Sequence, residues 1–448
     1  MNRMLSWLKW LYPGMRVKRW MLLTLVGIVL VLVGFLVLTN IKFVDLVQPL
    51  DDAIDWAYKK SGIYVGGGQP VFILVGLTVI AVGLLAIFVS YFQFNRAVLA
   101  VVAPDTGDNL ADTIFQRRSL AQGPRIVVIG GGTGLSTMLR GLKEHTSNIA
   151  AIVTVTDNGG SSGRLQQQMG VLPPGDLRNC LVALADAEPT LAQLFQYRFE
   201  AGHEGLSGHS FGNLFIAAMT SIYKGNYEQA IAATSKVLAI RGKVYPSTLQ
   251  NVCLLGEMED GSIVEGETEI ASNPLPIKRM YLRPENAQPL QEVLGAIRLA
   301  DAIILGPGSV FTSVIPNLLV DGVADAIANS KAVKVYVCNV MTQPGETDGF
   351  TASDHIRVVA QHAPNKKLFT HTLVNTEMPA AELLARYEQY GQKFVSPDVE
   401  AIRTMGYIPV VGNFISYQDV VRHDPARLAQ AIVRIINKRQ RVPTFNGH

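Results

Sequence analysis

Five short polar runs hold the residues that could do chemistry. The first, Gly130-Gly131-Gly132-Thr133-Gly134-Leu135-Ser136, has the make-up of an anion-binding turn. Glycines let a backbone approach closely, and unpaired N–H groups at a helix start face a phosphate. Leu135 stands where a dinucleotide fingerprint has its third glycine, so an NAD-dependent oxidoreductase fits poorly. The second run, Asp157-Asn158-Gly159-Gly160-Ser161-Ser162-Gly163-Arg164, offers N–H and O–H donors with a cation beside them. Asp157 lies about 20 residues past the first turn, where an acid accepts from a ribose hydroxyl, or it serves only as a turn aspartate. In Pro173-Pro174-Gly175-Asp176-Leu177-Arg178-Asn179, Asp176 reads as a helix N-cap, with Arg178 and Asn179 in the first turn. The fourth run sets Gly208, His209, Ser210 and Asn213 at another helix start. His203 and His209 do not have zinc spacing. The fifth, Gly306-Pro307-Gly308-Ser309, is a third glycine turn, followed by Thr312 and Ser313.

Such turns need strands behind them and helices after them. Arg125–Ile129, Ile149–Thr156, Ala302–Leu305 and Val333–Val340 are apolar, β-branched runs fit for buried parallel strands. Helical patterns follow at Thr137–Lys143, after Asp176, at Leu214–Tyr223 and after Ile315. Asn251–Glu257 and Ser262–Ile270 flank an Asp260-Gly261 turn and predict a hairpin. The alternation predicts an α/β fold, a Rossmann-like, doubly wound and mostly parallel sheet, whose strand ends gather the polar loops.

The chain has 448 residues and a formal net charge of +3. Two stretches without Asp, Glu, Lys or Arg, Trp20–Ile41 and Ser61–Asn95, exclude a simple cytosolic enzyme. They predict a transmembrane hairpin over residues 1–95, with spans near 20–41 and 70–92. A juxtamembrane linker (96–123), a ligand-binding domain (124–440) and a tail (441–448) follow. Arg3, Lys9, Arg16, Lys18 and Arg19 precede the first span, and Arg96, Arg117, Arg118 and Arg125 follow the second. The loop between them mixes Lys42, Lys59 and Lys60 with Asp45, Asp51, Asp52 and Asp55, so both ends are expected in the cytoplasm. The helices read as an anchor in the inner membrane, multi-pass, with the soluble domain in the cytoplasm. No clustered basic block follows residue 19, which argues against nucleic acid as a partner. Cys180, Cys253 and Cys338 lie far apart in apolar runs and suggest buried free thiols.

In order, GGGTGLS, DNGGSSGRL, PPGDLRNCL, GHSFGNLFIAA, GPGSVFTSVIPNLLV and CNVMTQPGET resemble the YvcK/CofD-like family over about Arg125 to Ile436. The style of the first two motifs is closer to the YvcK branch. That resemblance implies a regulator that binds UDP-N-acetylglucosamine or a related nucleotide sugar and governs cell-wall precursor supply, central carbon metabolism and cell shape. It implies ligand contacts at Gly131, Gly132, Thr133, Gly134, Asp157, Asn158, Gly160, Ser161, Ser162, Arg164, Asp176, Arg178, Asn179, His209, Asn213, Gly306, Gly308 and Ser309. It adds Tyr387 and Arg422, the apparent matches of a family tyrosine and arginine, each otherwise an ordinary surface residue. It also implies at least a dimer and a regulatory protein partner. The alternative is a CofD-type, magnesium-dependent transferase acting on a nucleotide diphosphate-linked donor, with Asp157, Asp176, Arg164 and Arg178 as its working groups. One departure weighs against transfer: Asn158 stands where the family has a second aspartate, removing a hard charged oxygen.

Overall fold

The computed structural model describes residues 18–38, 56, 60, 69–102, 110–186, 189–200, 205–416 and 420–440. His203, the tail 441–448, and the flanking charges Arg3, Arg16, Lys42, Lys59 and Asp51 therefore lie outside the described residues. The chain divides into two compact units, Met1–Phe115 and Gln116–His448.

In the first unit, helices Lys18–Leu38 and Gln69–Val102 lie side by side. Both contain stretches long and apolar enough to cross a membrane. The second helix runs ten residues beyond the predicted span end at Phe92, because Gln93–Val102 holds a single charge and no glycine or proline. Glycines set the spacing of the pair. A Cβ on Gly27 would stand 2.8 Å from the Gly83 carbonyl oxygen, and one on Gly34 2.8 Å from that of Gly76. Small residues at such crossings let two backbones approach and gain dispersion contacts. Near one end the Thr24 and Ser90 hydroxyls are 2.7 Å apart. Leu22, Leu32, Phe35, Leu74 and Leu85 point outward and exposed, as lipid-facing side chains would.

In the second unit, seven strands form one sheet, with β1 (Ile126–Gly130), β2 (Ile149–Val153) and β3 (Lys243–Pro246) on one side. Three short strands, β4 (Cys253–Met258), β5 (Ile263–Glu265) and β6 (Ile277–Arg283), make a separate antiparallel sheet. The large sheet resumes with β7 (Ala302–Leu305), β8 (Val333–Val337), β9 (His371–Asn375) and β10 (Ile408–Gly412). Its order is β10-β9-β8-β7-β1-β2-β3, and every neighbouring pair is parallel. Order reverses between β1 and β7, so the two are neighbours although 171 residues separate them in sequence, and sheets of this kind bind ligands beyond the carboxyl ends at such a reversal. All five residues of β1 are buried, as a central strand covered on both faces requires.

The boundaries differ from the sequence expectation in instructive ways. The first helix begins at Gly132, not Thr137, because glycine and threonine at a helix start need no apolar face. β2 stops at Val153, and Thr154–Thr156 run past the sheet into the edge. The predicted second hairpin arm ends at Glu265, since Gly266 at φ 100° turns the chain into helix Glu267–Ala271. Cys180 and Cys338 are buried, whereas Cys253 is only partly so.

Candidate functional site

Because the strands are parallel, the loops after β1, β2, β7 and β8 leave from the same edge. Gly131 is where they meet. A Cβ there would stand 2.4 Å from Asp176 Oδ2, 2.9 Å from Thr154 Cγ2 and 3.3 Å from Ser313 Cβ. A Cβ on Gly134 would stand 2.8 Å from the Pro307 carbonyl oxygen, and one on Gly308 3.1 Å from that of Gly131. The Asn339 side chain after β8 fastens the β7 loop, donating to the Gly308 carbonyl at 2.8 Å and accepting its N–H at 3.2 Å. Helix Gly132–Leu142 opens at Gly131 with no side-chain cap, leaving backbone donors for another acceptor.

That acceptor is Asp176. Pro174, not Asp176, is the N-cap of helix Gly175–Leu184, and no side chain caps this helix. The Asp176 carboxylate instead lies against the Gly131–Gly132 turn, where a Cβ on Gly131 would stand 2.4 Å from its Oδ2 and the Gly132 N–H lowers its pKa. Its pKa is pushed up to about 7 by burial and then by the charge of Asp157, with the Gly132 hydrogen bond and Arg178 opposing. Asp157 Oδ1 accepts the Gly159 N–H at 2.9 Å. Its Oδ2 and the Ser162 hydroxyl both crowd Gly175, where a Cβ would stand 3.1 Å and 2.5 Å from them.

Two carboxylates missing from the sequence reading complete the edge. Burial, followed by Asp157, Asp176 and Glu346, pushes Glu267 up to about 9. Burial also raises Glu346, which accepts from the Ser309 hydroxyl and the Gln343 amide. Thr312 donates to Ser309 at 2.7 Å. Glu346 sits in the CNVMTQPGET motif, so its position was legible. Glu267 opens the short helix that follows β5, and nothing local marks it. Among the described residues no group of three or more His, Cys, Asp or Glu side chains is placed to hold a metal.

A second cluster flanks the first. The Ser161 hydroxyl lies 3.0 Å from His209 Nδ1 and accepts from Asn213 Nδ2 at 3.0 Å. Burial, then Arg164 and Arg198, hold His209 below the ordinary imidazole range, so the ring is neutral at pH 7. Buried Arg178 donates to the Ser210 hydroxyl and to Asn179 Oδ1, while its Nε has no partner. Arg164 donates to the Ser207 carbonyl at 2.8 Å and Arg198 to that of Gly208. Arg198, absent from the sequence reading, lies in a run with no motif.

Asn158 turns away from this edge. Its Oδ1 accepts from the Thr268 N–H at 3.1 Å, and its Nδ2 donates to Glu269 at 2.8 Å. An amide can do both; an aspartate would face Glu269 as a like charge. A cavity of about 390 Å3 adjoins it, lined by Thr156, Asn158, Gln166, Asn251, Cys253 and Arg283. Tyr387 and Arg422 are brought near each other: the Tyr387 hydroxyl accepts the Val421 N–H at 3.0 Å. Arg422 is exposed, and its charge bears on Arg140 of helix Gly132–Leu142. The Tyr387 ring is half-buried against Val340, Met341 and Val421.

With this geometry in hand, comparison with known proteins gives a consistent result. Residues 126–415 match the family model described as 2-phospho-L-lactate transferase CofD. A Nostoc sp. (strain PCC 7120) relative is 45% identical over 438 residues, covering 97% of this chain and 93% of its own. The gluconeogenesis factor of Bacillus subtilis is 46% identical over 320 residues, 71% of this chain and all of its own. A crystal structure of a UPF0052 family member from Bacillus halodurans superposes with a TM-score of 0.66 at 48% identity, covering 69% of this chain and 99% of that one.

Proposed function

The chain belongs to the CofD family, and we propose that it is a membrane-anchored regulator binding UDP-N-acetylglucosamine, or a related nucleotide sugar, at the crowded edge of its large sheet. One observation carries this reading: the glycine turns after β1 and β7 close on a helix start without a side-chain cap, and Asp157 of the β2 turn bears on Asp176 beside it. The diphosphate would take the place that Asp176 holds at the Gly132 N–H, with neighbouring backbone N–H groups as further donors. The cavity beside Asn158 is within the usual range for small-ligand sites, and its amides suit a uracil or an N-acetyl sugar. Binding would draw Asp176 and the Asp157 loop to new positions, altering a surface offered to a partner enzyme. In this reading the helix pair crosses the inner membrane, the α/β unit faces the cytoplasm, and the protein works as at least a dimer.

The edge is acidic, so a bare diphosphate would meet Asp157, Asp176 and Glu346. Magnesium fits that situation. It is commonly held by one or two carboxylates together with substrate phosphates and waters, and Asp157 and Asp176 supply two. Asp157 and Asp176 would hold the ion, and it would neutralise phosphate charge. Isothermal calorimetry with UDP-N-acetylglucosamine tests the proposal. Saturable heat, strengthened by magnesium, is expected; no heat at millimolar ligand from folded protein sinks it.

One observation favours a second reading, transfer chemistry of CofD type. Asp176, with its pKa near 7 beside Asp157, can accept a proton from an acceptor hydroxyl. The new P–O bond would form as the bond to the leaving nucleotide breaks. Nucleoside monophosphate released from a nucleotide diphosphate-linked donor, in the presence of an alcohol acceptor, would decide for it.

A further inference from the structure

Beside the carboxylate edge, three arginines from three segments converge on one stretch of backbone, Ser207–Ser210. Arg164 comes from helix Gly160–Met169 and Arg178 from helix Gly175–Leu184. Arg198 pairs with Ser210 in an antiparallel bridge. Arg164 Nη2 donates to the Ser207 carbonyl at 2.8 Å, Arg198 to that of Gly208, and Arg178 to the Ser210 hydroxyl. The approach is close. A Cβ on Gly208 would stand 3.0 Å from Arg164 Nη2, and one on Gly212 2.7 Å from Arg178 Cδ. The charge of Arg198 bears on Arg178, and those of Arg164 and Arg198 both bear on His209.

Holding a loop does not by itself call for this arrangement. A carbonyl accepts as well from a neutral amide, and a guanidinium carries five N–H donors, of which Arg164 and Arg198 each spend one on the loop. Arg178 is 7% exposed, and its Nε–H has no partner. Among the described residues none of the three makes an ion pair. Asp176 and Asp157 offset part of the Arg178 charge only. Like charges held together repel, and a buried guanidinium has lost its hydration. An oxyanion relieves both costs. Arg164 and Arg198 are exposed, so a small solute can reach them. Helix Gly160–Met169 opens nearby without a side-chain cap, and Ser161 in its first turn lies 3.0 Å from His209 Nδ1.

We propose that Arg164, Arg178 and Arg198 form a site for a compact phosphate group, inorganic phosphate or a phosphate monoester, separate from the place of the diphosphate. Three positive charges suit a dianion, and planar guanidinium forks suit its oxygens. The atoms nearest a Cβ on Gly131 belong to Asp176, Thr154 and Ser313, and none to these arginines. The two places are therefore distinct, and either assignment can fail without the other.

The test is calorimetry on the full chain in nanodiscs, in a phosphate-free buffer, with inorganic phosphate and methyl phosphate titrated separately. Saturable heat at millimolar anion is expected from at least one, and the tighter of the two identifies the source. Arg164→Gln with Arg198→Gln should weaken it about tenfold or more. Arg198→Gln alone, which leaves Arg164 on the Ser207 carbonyl, should weaken it about threefold and decides the matter where the double variant does not fold. Saturating UDP-N-acetylglucosamine should leave the phosphate heat in place. The proposal is overturned if neither anion saturates, if acetate binds as tightly, or if the folded variants bind as the parent does. Displacement of the anion by UDP-N-acetylglucosamine overturns it as well, because the two would then share one site.

Discussion

Glycine is packed against neighbouring atoms in two parts of this molecule, and what it meets differs. In the helix pair, Gly27 and Gly34 lie opposite backbone carbonyls of the partner helix, and the room saved is filled by contact between main chains. At the sheet edge, Gly131 lies opposite Asp176 Oδ2, a titratable oxygen that can move. The lesson is that a glycine cluster declares only close approach. Whether it means assembly or a ligand site depends on whether the group it admits is fixed backbone or a mobile polar side chain.

The sharpest way to break this contrast is Gly131→Val. The added carbons would fill the space between Asp176, Thr154 and Ser313 that the diphosphate needs, so calorimetry should find nucleotide-sugar affinity down by about 100-fold or more. Unchanged affinity would remove Gly131 from the site. The next effect is pH-dependent. Asp176 and Glu267 have folded pKa values of about 7 and 9, above their ordinary carboxyl values, so the fold prefers them protonated. Their contribution is fully present below about pH 4 and is lost as pH rises through 7 and then 9. Thermal melts should show Asp176→Asn and Glu267→Gln gaining on the parent, by a few kcal/mol in all, between pH 5 and 9. A constant difference across that range would refute the assignment.

A smaller effect belongs to the helix pair. Gly34→Leu with Gly76→Leu should weaken helix association by about 1–2 kcal/mol, read as lost disulfide cross-linking between cysteines placed at Thr24 and Ser90. Nucleotide-sugar binding should stay as it was, and a fall in it would erase the distinction between the two glycine uses. Smallest is Asn158→Asp, which sets a second carboxylate against exposed Glu269. It should cost roughly 0.5–1 kcal/mol in urea melts, recovered by Glu269→Gln.

Much of this was legible in the sequence because its signals are local. Strand, glycine turn and helix start follow one another at Gly130–Leu142 and again at Ala302–Ser309, and parallel pairing then forces their loops onto one edge. The rest depends on contacts across the chain. Asp176 looked like an N-cap because the sequence shows Pro-Pro-Gly-Asp but not Gly132, which draws the carboxylate away. Glu267 opens a five-residue helix after β5, with no motif of its own. Asn158 looked like a weakened ligand because its partners, Thr268 and Glu269, lie 110 and 111 residues further on. Tyr387 looked like a ligand contact or an ordinary surface residue because nothing near it announces the Val421 N–H that its hydroxyl accepts.

The small sheet has a mechanical consequence. Its strands bond to one another and share no ladder with the large sheet. It is pinned at separate points: Asn158 to Thr268, Gly345 against the Ala271 carbonyl, and the Met280 N–H to His362 Nε2 at 2.9 Å. Two of these pins sit on the loops that carry Asp157 and Glu346. Leu254, Met258, Ile270, Met280 and Leu282 also pack into the same core as the large sheet, so the small sheet holds Asn158 and Gly345, and with them the loops of Asp157 and Glu346, against a fixed support.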